Sequence, residues 1–175
     1  MLTEPSRTNT YIAQGEFALG SRPEEIISTT LGSCVAVCLW DRHNRIGGMN
    51  HILLPDSPGL DIRTQSVGAG AMELLINGLL KAGAHKTFLD AKFFGGSAVV
   101  AGLSNIGKRN AEFAANFLAS ENIPVLSSNV GGSAARRVQF WPESGRVRLK
   151  LVETEEVAPV KAAPAKPESN DLELF

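Results

Sequence analysis

The stretch between residues 34 and 54 constrains the fold most, because two apolar segments there flank a short polar loop. Residues 34–40 and 46–54 both have the length and the Val, Ile and Leu content of β-strands. With the polar residues 41–44 as a four-residue loop, the pattern predicts an antiparallel β-hairpin.

Backbone pairing in this hairpin predicts which side chains meet. If Trp40 pairs with Arg45 across the loop, the same register places Cys34 directly opposite His51. Opposed residues on one sheet face have Cβ atoms about 4.5–5.5 Å apart. The hairpin therefore predicts a thiol beside an imidazole, whereas a slip of one residue would place the two on opposite faces.

The remaining elements mix strand and helix periods. Apolar residues recur at helical spacing over residues 68–82 and 109–121, which predicts two amphipathic helices. Further strands are predicted at residues 24–30, 86–94, 123–127, 137–141 and 146–152. Because the predicted strands outnumber the helices and their order along the chain favours hairpin connections, the predicted fold class is α+β.

One folded domain is predicted over residues 11–152, since 43% apolar and 20% charged residues are ordinary values for a globular chain. Residues 1–10 are predicted to be a flexible N-terminus. Residues 153–175 are rich in Glu, Ala, Pro and Lys and lack a periodic apolar stripe, so this tail is predicted to be disordered.

Charge and hydropathy argue against several functions. A formal net charge of -1 gives no basic footprint for nucleic acid. The sequence has no apolar run long enough to span a membrane and no charged-then-apolar leader. We therefore expect a cytoplasmic protein that is neither exported nor inserted in a membrane.

Both cysteines, Cys34 and Cys38, lie on the same predicted strand. At about 3.3 Å per residue their Cα atoms would be about 13 Å apart, which is beyond the reach of a disulfide. A reduced thiol is the prediction for each.

A thiol beside an imidazole is the arrangement that a cysteine nucleophile requires. His51 can take the proton of Cys34 and stabilise the thiolate. Backbone N–H groups near Ser33 and Cys34 can donate to an oxyanion on the attacked carbonyl. The hydroxyls of Ser28 and Thr29, one strand away, are candidates for orienting His51.

Other interpretations stay open at this point. Acidic candidates for orienting the histidine are Asp41, Asp56 and Asp61. A cysteine in an apolar strand is often only a small buried residue. A zinc site made of Cys34, Cys38 and His51 would lack the short cysteine spacing and a clear fourth ligand.

A set of motifs along the predicted domain resembles the signature of the CheD family. The motifs are LGSCVAVCL at residues 31–39, GGMNHILLP at 47–55, AKFFGG at 91–96, NIGKRN at 105–110, and VGG at 130–132 followed by Arg136 and Arg137. LGSC alone would be a weak signal, whereas the whole set in this order is specific.

The resemblance implies an amidohydrolase, a protein-glutamine glutaminase that deamidates selected glutamines on the cytoplasmic helices of chemotaxis receptors. It implies Cys34 as the nucleophile and His51 as the base, acting through a thioester with no metal and no organic cofactor. The family's third site residue, a threonine six residues before the cysteine, corresponds to Ser28 here, with Thr29 as the neighbouring alternative.

The resemblance also implies a compact mixed-sheet α/β sandwich similar to that of bacterial toxin deamidases. The expected partners are methyl-accepting chemotaxis receptors and, as a second candidate, a chemotaxis phosphatase. A non-catalytic module that docks receptors or such a phosphatase is the alternative function, and a cysteine peptidase or thioesterase is a third.

Overall fold

The computed structural model describes residues 6–55, 62–99, 104–153 and 173–174. The helices are α1 (Ile62–Lys81) and α2 (Ser104–Ser120). The strands are β1 (Thr8–Tyr11), β2 (Phe17–Gly20), β3 (Glu25–Leu31), β4 (Val35–Asp41), β5 (Ile46–Asn50), β6 (Leu89–Gly95), β7 (Val125–Val130), β8 (Ala135–Trp141), β9 (Arg146–Val152) and β10 (Glu173–Leu174). Within these residues no helix is long and apolar enough to cross a membrane.

The strands form two five-stranded sheets. Sheet A has the order β1-β3-β8-β9-β10, and sheet B has the order β2-β5-β4-β6-β7. Most neighbours are antiparallel, but β1 runs parallel to β3 and β7 runs parallel to β6. The predicted α+β sandwich is confirmed: the two helices cover one face of sheet B, and sheet A packs against the other.

Strand β4 lies in the middle of sheet B and is buried on both faces. Val35 and Val37 point into a core shared with α1 and α2. Ala36 and Cys38 point into a second core between the two sheets. Burial on both faces explains why the sequence of this strand is a continuous apolar run and not an alternating one.

The predicted elements agree with the observed ones in type, except that Lys86–Phe88, the start of the predicted strand 86–94, form a short 3-10 helix before β6. Most of the other ends differ by a few residues. Strand β9 has the predicted bounds. Helix α1 begins at Ile62, earlier than the predicted residue 68, because the polar residues 63–66 carry no apolar period. Strands β1 and β2 were not predicted, since each has only four residues and no clear alternation.

The two ends of the chain depart from the sequence expectation where they are described. Residues 8–10, expected to belong to a flexible N-terminus, lie in β1 and pair with β3; residues 1–5 lie outside the described residues. The predicted disordered tail also lies outside them, apart from residue 153 and the pair Glu173 and Leu174. This pair forms β10 and lies antiparallel to β9.

The β4–β5 hairpin forms as predicted, but its register was wrong by two residues. Trp40 pairs with Gly47 and not with Arg45. The loop is accordingly residues 42–45 and not residues 41–44. Because side chains alternate with a period of two, a two-residue shift leaves each of them on its predicted face.

The carboxylate of Asp41 explains the shifted loop. Its Oδ1 accepts hydrogen bonds from the backbone N–H groups of His43 and Asn44, each at 2.8 Å, and its Oδ2 accepts one from the N–H of His85 at 2.8 Å. Burial works to raise the pKa of Asp41, but these bonds and one from the Asn44 side chain lower it to about 2. Asp41 is thereby held as the last residue of β4, so it serves the loop and lies far from His51.

Three glycines allow β4, β6 and α2 to approach one another closely. Gly95 has a φ of +117°, and a Cβ there would lie 2.1 Å from the backbone oxygen of Cys34. Gly96 and Gly107 face each other so closely that a Cβ on either would lie within 2.6 Å of the other's oxygen. The N-terminal part of α2 therefore lies beside the backbone of Cys34.

We expect Gly95→Ala to lower the free energy of unfolding by about 2–4 kcal/mol, because it combines a left-handed φ with a backbone clash. Urea unfolding followed by circular dichroism measures this. The matched control is Gly70→Ala inside α1, where a Cβ meets nothing within 4 Å. That change should stabilise the protein by about 0.5–1 kcal/mol. Equal effects of the two substitutions would contradict the close approach at Gly95.

Candidate active site

The candidate site lies at one end of the layer between the two sheets. His51 directly follows β5 of sheet B, and Thr29 belongs to β3 of sheet A. Cys34 directly precedes β4 and packs against the same inter-sheet core as Ala36 and Cys38. Residues from both sheets therefore contribute side chains to one region.

A chain of two hydrogen bonds orients His51. The Thr29 Oγ1 lies 2.7 Å from the His51 Nδ1 and 2.7 Å from the backbone oxygen of Ile12. A carbonyl oxygen can only accept, so the single hydroxyl proton goes to Ile12 and the oxygen of Thr29 accepts from the Nδ1–H of His51. This tautomer leaves Nε2 of His51 unprotonated and available as a base.

Of the two hydroxyl candidates, only Thr29 reaches the histidine. Neighbouring side chains of a strand point to opposite faces, and Thr29 is buried while Ser28 lies on the outer face of sheet A. The Ser28 hydroxyl donates instead to the side-chain oxygen of Asn9, at 2.8 Å. Of the acidic alternatives, Asp41 serves the hairpin loop, and Asp56 and Asp61 lie outside the described residues.

Cys34 lies on the same sheet face as His51, but the corrected register makes the two diagonal neighbours and not directly opposed residues. Val35 pairs with Ile52 through two backbone hydrogen bonds of 3.0 and 2.7 Å. Diagonal neighbours have Cα atoms about 7–8 Å apart, within reach of longer side chains. In the part of the chain that the structure describes, no hydrogen bond joins the thiol to the imidazole.

Burial shifts both groups toward their neutral forms. It raises the pKa of the Cys34 thiol, an effect that the neighbouring backbone N–H of Cys34 itself partly offsets. It lowers the pKa of His51, an effect that the nearby backbone carbonyl of Ile12 partly offsets. Burial thus favours the neutral thiol and the neutral imidazole, whereas the sequence led us to expect a thiol pKa lowered by the histidine.

The second cysteine has no such setting. Cys38 is enclosed in the inter-sheet core, and burial raises the pKa of its thiol strongly. It behaves as a small apolar residue. Among the described residues, no group of three or more His, Cys, Asp or Glu side chains is arranged to hold a metal ion.

The backbone that carries Cys34 is held by the end of β6. The carbonyl of Gly32 accepts hydrogen bonds from both the N–H and the hydroxyl of Ser97, at 3.0 and 2.9 Å. The carbonyl of Cys34 accepts one from the N–H of Gly96, at 2.8 Å. These bonds fix the path of the chain on both sides of the Cys34 side chain.

A buried asparagine on α2 connects the cysteine segment to the histidine segment. Nδ2 of Asn110 donates to the carbonyl of Ser33 at 2.7 Å, and its Oδ1 accepts from the N–H of Leu54 at 3.0 Å. Asn110 is only 1% exposed. Its side chain thus ties the residue before Cys34 to the segment that follows His51.

A buried arginine supports the same region from sheet A. Nη1 of Arg136 donates to the hydroxyl of Ser97 at 3.0 Å, and its remaining bonds go to Asn129, Gly131 and the carbonyl of Ala134. Burial lowers the pKa of Arg136. Asn110 and Arg136 lie in motifs that the sequence singled out without a role, since only the fold shows what they touch.

The fold and the site define a class of α+β sandwich proteins that hold a thiol and a threonine-bonded imidazole at one end of the inter-sheet layer. A family model described as CheD chemotactic sensory transduction matches residues 53–151. The chain belongs to the CheD family.

Individual relatives agree over almost the whole chain. A probable chemoreceptor glutamine deamidase CheD of Caulobacter sp. is 49% identical over 172 residues, covering 94% of this chain and 92% of that protein. One of Rhizobium leguminosarum bv. trifolii is 46% identical and covers 100% of both chains. A solved structure, the hypothetical protein YfiH of Bacillus licheniformis, aligns with a TM-score of 0.43 and 14% identity over 67% of this chain and 50% of that chain.

We predict that Cys34 is protonated in the resting protein at neutral pH. The rate of its alkylation by iodoacetamide should rise with pH without a plateau below about pH 8.5, the ordinary pKa of a cysteine. The measurement uses a Cys38→Ala background, so that only one thiol reports. An alkylation plateau in the acid range would reveal a thiolate–imidazolium pair and contradict the prediction.

Proposed function

We propose that this protein deamidates glutamine side chains on chemoreceptors, converting each to glutamate with release of ammonia. Relatives with this name share 44–49% identity with nearly the whole chain. The observation that carries the proposal is the 2.7 Å contact between Thr29 Oγ1 and His51 Nδ1, because it leaves Nε2 free as a base on the face that carries Cys34. The substrates lie on cytoplasmic helices, so the protein acts in the cytoplasm.

The first half of the reaction forms a thioester. Nε2 of His51 takes the proton of the Cys34 thiol as the sulfur attacks the side-chain amide carbon of glutamine. Negative charge develops on the amide oxygen, where a backbone N–H can stabilise it. The imidazolium then returns its proton to the amide nitrogen, the carbon–nitrogen bond breaks and ammonia leaves.

The second half hydrolyses the thioester. Nε2 of His51 is neutral again and removes a proton from a water molecule that attacks the same carbon. The carbon–sulfur bond breaks, glutamate is released and Cys34 regains its proton. Thr29 keeps Nδ1 protonated throughout and stabilises the imidazolium, without changing its own protonation state.

The direct test is to incubate the protein with a receptor cytoplasmic fragment and to follow amide-to-carboxyl conversion by peptide mass spectrometry. We expect conversion at a few glutamines with the wild type and none with Cys34→Ala. Cys38→Ala is the matched control and should stay active, because that thiol is enclosed in the core.

Two results would count against this function. Ammonia release without any altered receptor glutamine would point to another amide substrate. Binding of the receptor fragment by a folded wild type, with no conversion on any of several receptors, would favour a docking module, whose partner is a receptor or a chemotaxis phosphatase.

Thr29→Val should lower kcat for deamidation about 10-fold to 100-fold, because valine keeps the shape but cannot accept the Nδ1–H of His51. Thr29→Ser retains the hydroxyl and should restore most of the activity. Ser28→Ala, on the outer face of the same strand, should have little effect. If Ser28→Ala were the damaging change and Thr29→Val were not, Ser28 and not Thr29 would be the orienting residue.

A further inference from the structure

The peptide bond before Cys34 is held in one orientation by α2. Nδ2 of Asn110 donates to the carbonyl oxygen of Ser33 at 2.7 Å. In a planar trans peptide the carbonyl and the following N–H point in opposite directions. A carbonyl drawn toward α2 therefore turns the N–H of Cys34 away from the helix layer.

This direction is the reactive side of the strand. The side chain of Cys34 packs toward the inter-sheet layer, opposite the helices. The N–H of Cys34 lies close enough to its own sulfur to affect the titration of the thiol. The N–H and the nucleophile thus face the same space, into which His51 also points.

The next peptide bond supports this geometry. The carbonyl of Cys34 accepts a hydrogen bond from the N–H of Gly96 at 2.8 Å. The N–H of Val35, on the opposite side of the same peptide bond, donates to the carbonyl of Ile52 at 3.0 Å. One residue earlier, the carbonyl of Gly32 is held by Ser97. Carbonyls of three successive residues are therefore occupied by donors from residues 96–110, and none of them is left to turn toward the substrate.

From this geometry we propose that Asn110 is a positioning residue that aims the backbone N–H of Cys34 at the amide oxygen of the substrate, forming the oxyanion hole. The proposal rests on the function given above, with Cys34 as nucleophile. The N–H of the nucleophile itself is well placed for this task, since the oxygen develops its charge on the carbon that the sulfur attacks.

Asn110→Ala tests the proposal. We expect kcat for deamidation to fall about 10²-fold to 10³-fold with little change in KM, as when one oxyanion donor is lost. Alkylation of Cys34 by iodoacetamide should keep its rate and pH profile, because substitution at a saturated carbon creates no oxyanion. Asn116→Ala, an exposed asparagine on the same helix, is the matched control and should leave both rates unchanged.

A second variant separates this role from a merely structural one. Asn110→Asp keeps an oxygen for the N–H of Leu54 but, when ionised, cannot donate to Ser33, so at alkaline pH its kcat should be as low as that of Asn110→Ala. If alkylation fell in parallel with deamidation in both variants, Asn110 would only hold the thiol, and the proposal would be overturned.

The two possible failures are distinguishable. A wild type that alkylates normally yet converts no glutamine refutes the proposed function. A wild type that converts glutamine while Asn110→Ala does so equally well refutes only the oxyanion role.

Discussion

The hydrogen bond between His51 and Thr29 is the interaction on which the candidate site depends. It joins sheet B to sheet A at the end of their shared layer, and both residues are buried, so neither can exchange its partner for water at little cost. Because the Thr29 hydroxyl donates its proton to the carbonyl of Ile12, its oxygen accepts from Nδ1–H of His51, and Nε2 of the imidazole is free. The packing of the two sheets thus decides the chemistry of a side chain, because it sets the tautomer.

The backbone around Cys34 has its carbonyl groups hydrogen-bonded to the rest of the protein, while its side chain faces the inter-sheet layer. The carbonyls of this segment are occupied by structural donors, namely the Asn110 side chain from α2 and the N–H groups of Gly96 and Ser97. The inter-sheet side keeps the thiol and the imidazole. Buried polar groups need partners, and supplying those partners from one side leaves the other side free for a substrate.

Burial of the pair has a chemical consequence for the mechanism. Burial raises the pKa of Cys34 and lowers the pKa of His51, and both shifts favour the neutral forms of the pair. A neutral cysteine is a poor nucleophile and resists oxidation. The proposed mechanism accordingly moves the proton only as the sulfur attacks, and not in a preformed ion pair.

Several features of the site could be predicted from the sequence because they follow from local periodicity. The apolar run of β4 and the polar loop after it predicted a hairpin, and the alternation of side chains placed Cys34 and His51 on one face. The register was missed, because the carboxylate of Asp41 recruits N–H groups from the loop and from His85, a residue distant in sequence. Because the register error was two residues, each side chain kept its predicted face, and Cys34 and His51 still lie on the same face of the sheet.

By itself the sequence determined the α+β class, the central hairpin, a spacing that keeps its two cysteines from forming a disulfide with each other and, through linked motifs, the family. Only the tertiary structure decided which hydroxyl meets His51, which nitrogen is protonated and what holds the peptide bond before Cys34. Those contacts join residues 17 to 77 positions apart. Local propensity carries no information about such pairs, since they are created when the two sheets and α2 pack together.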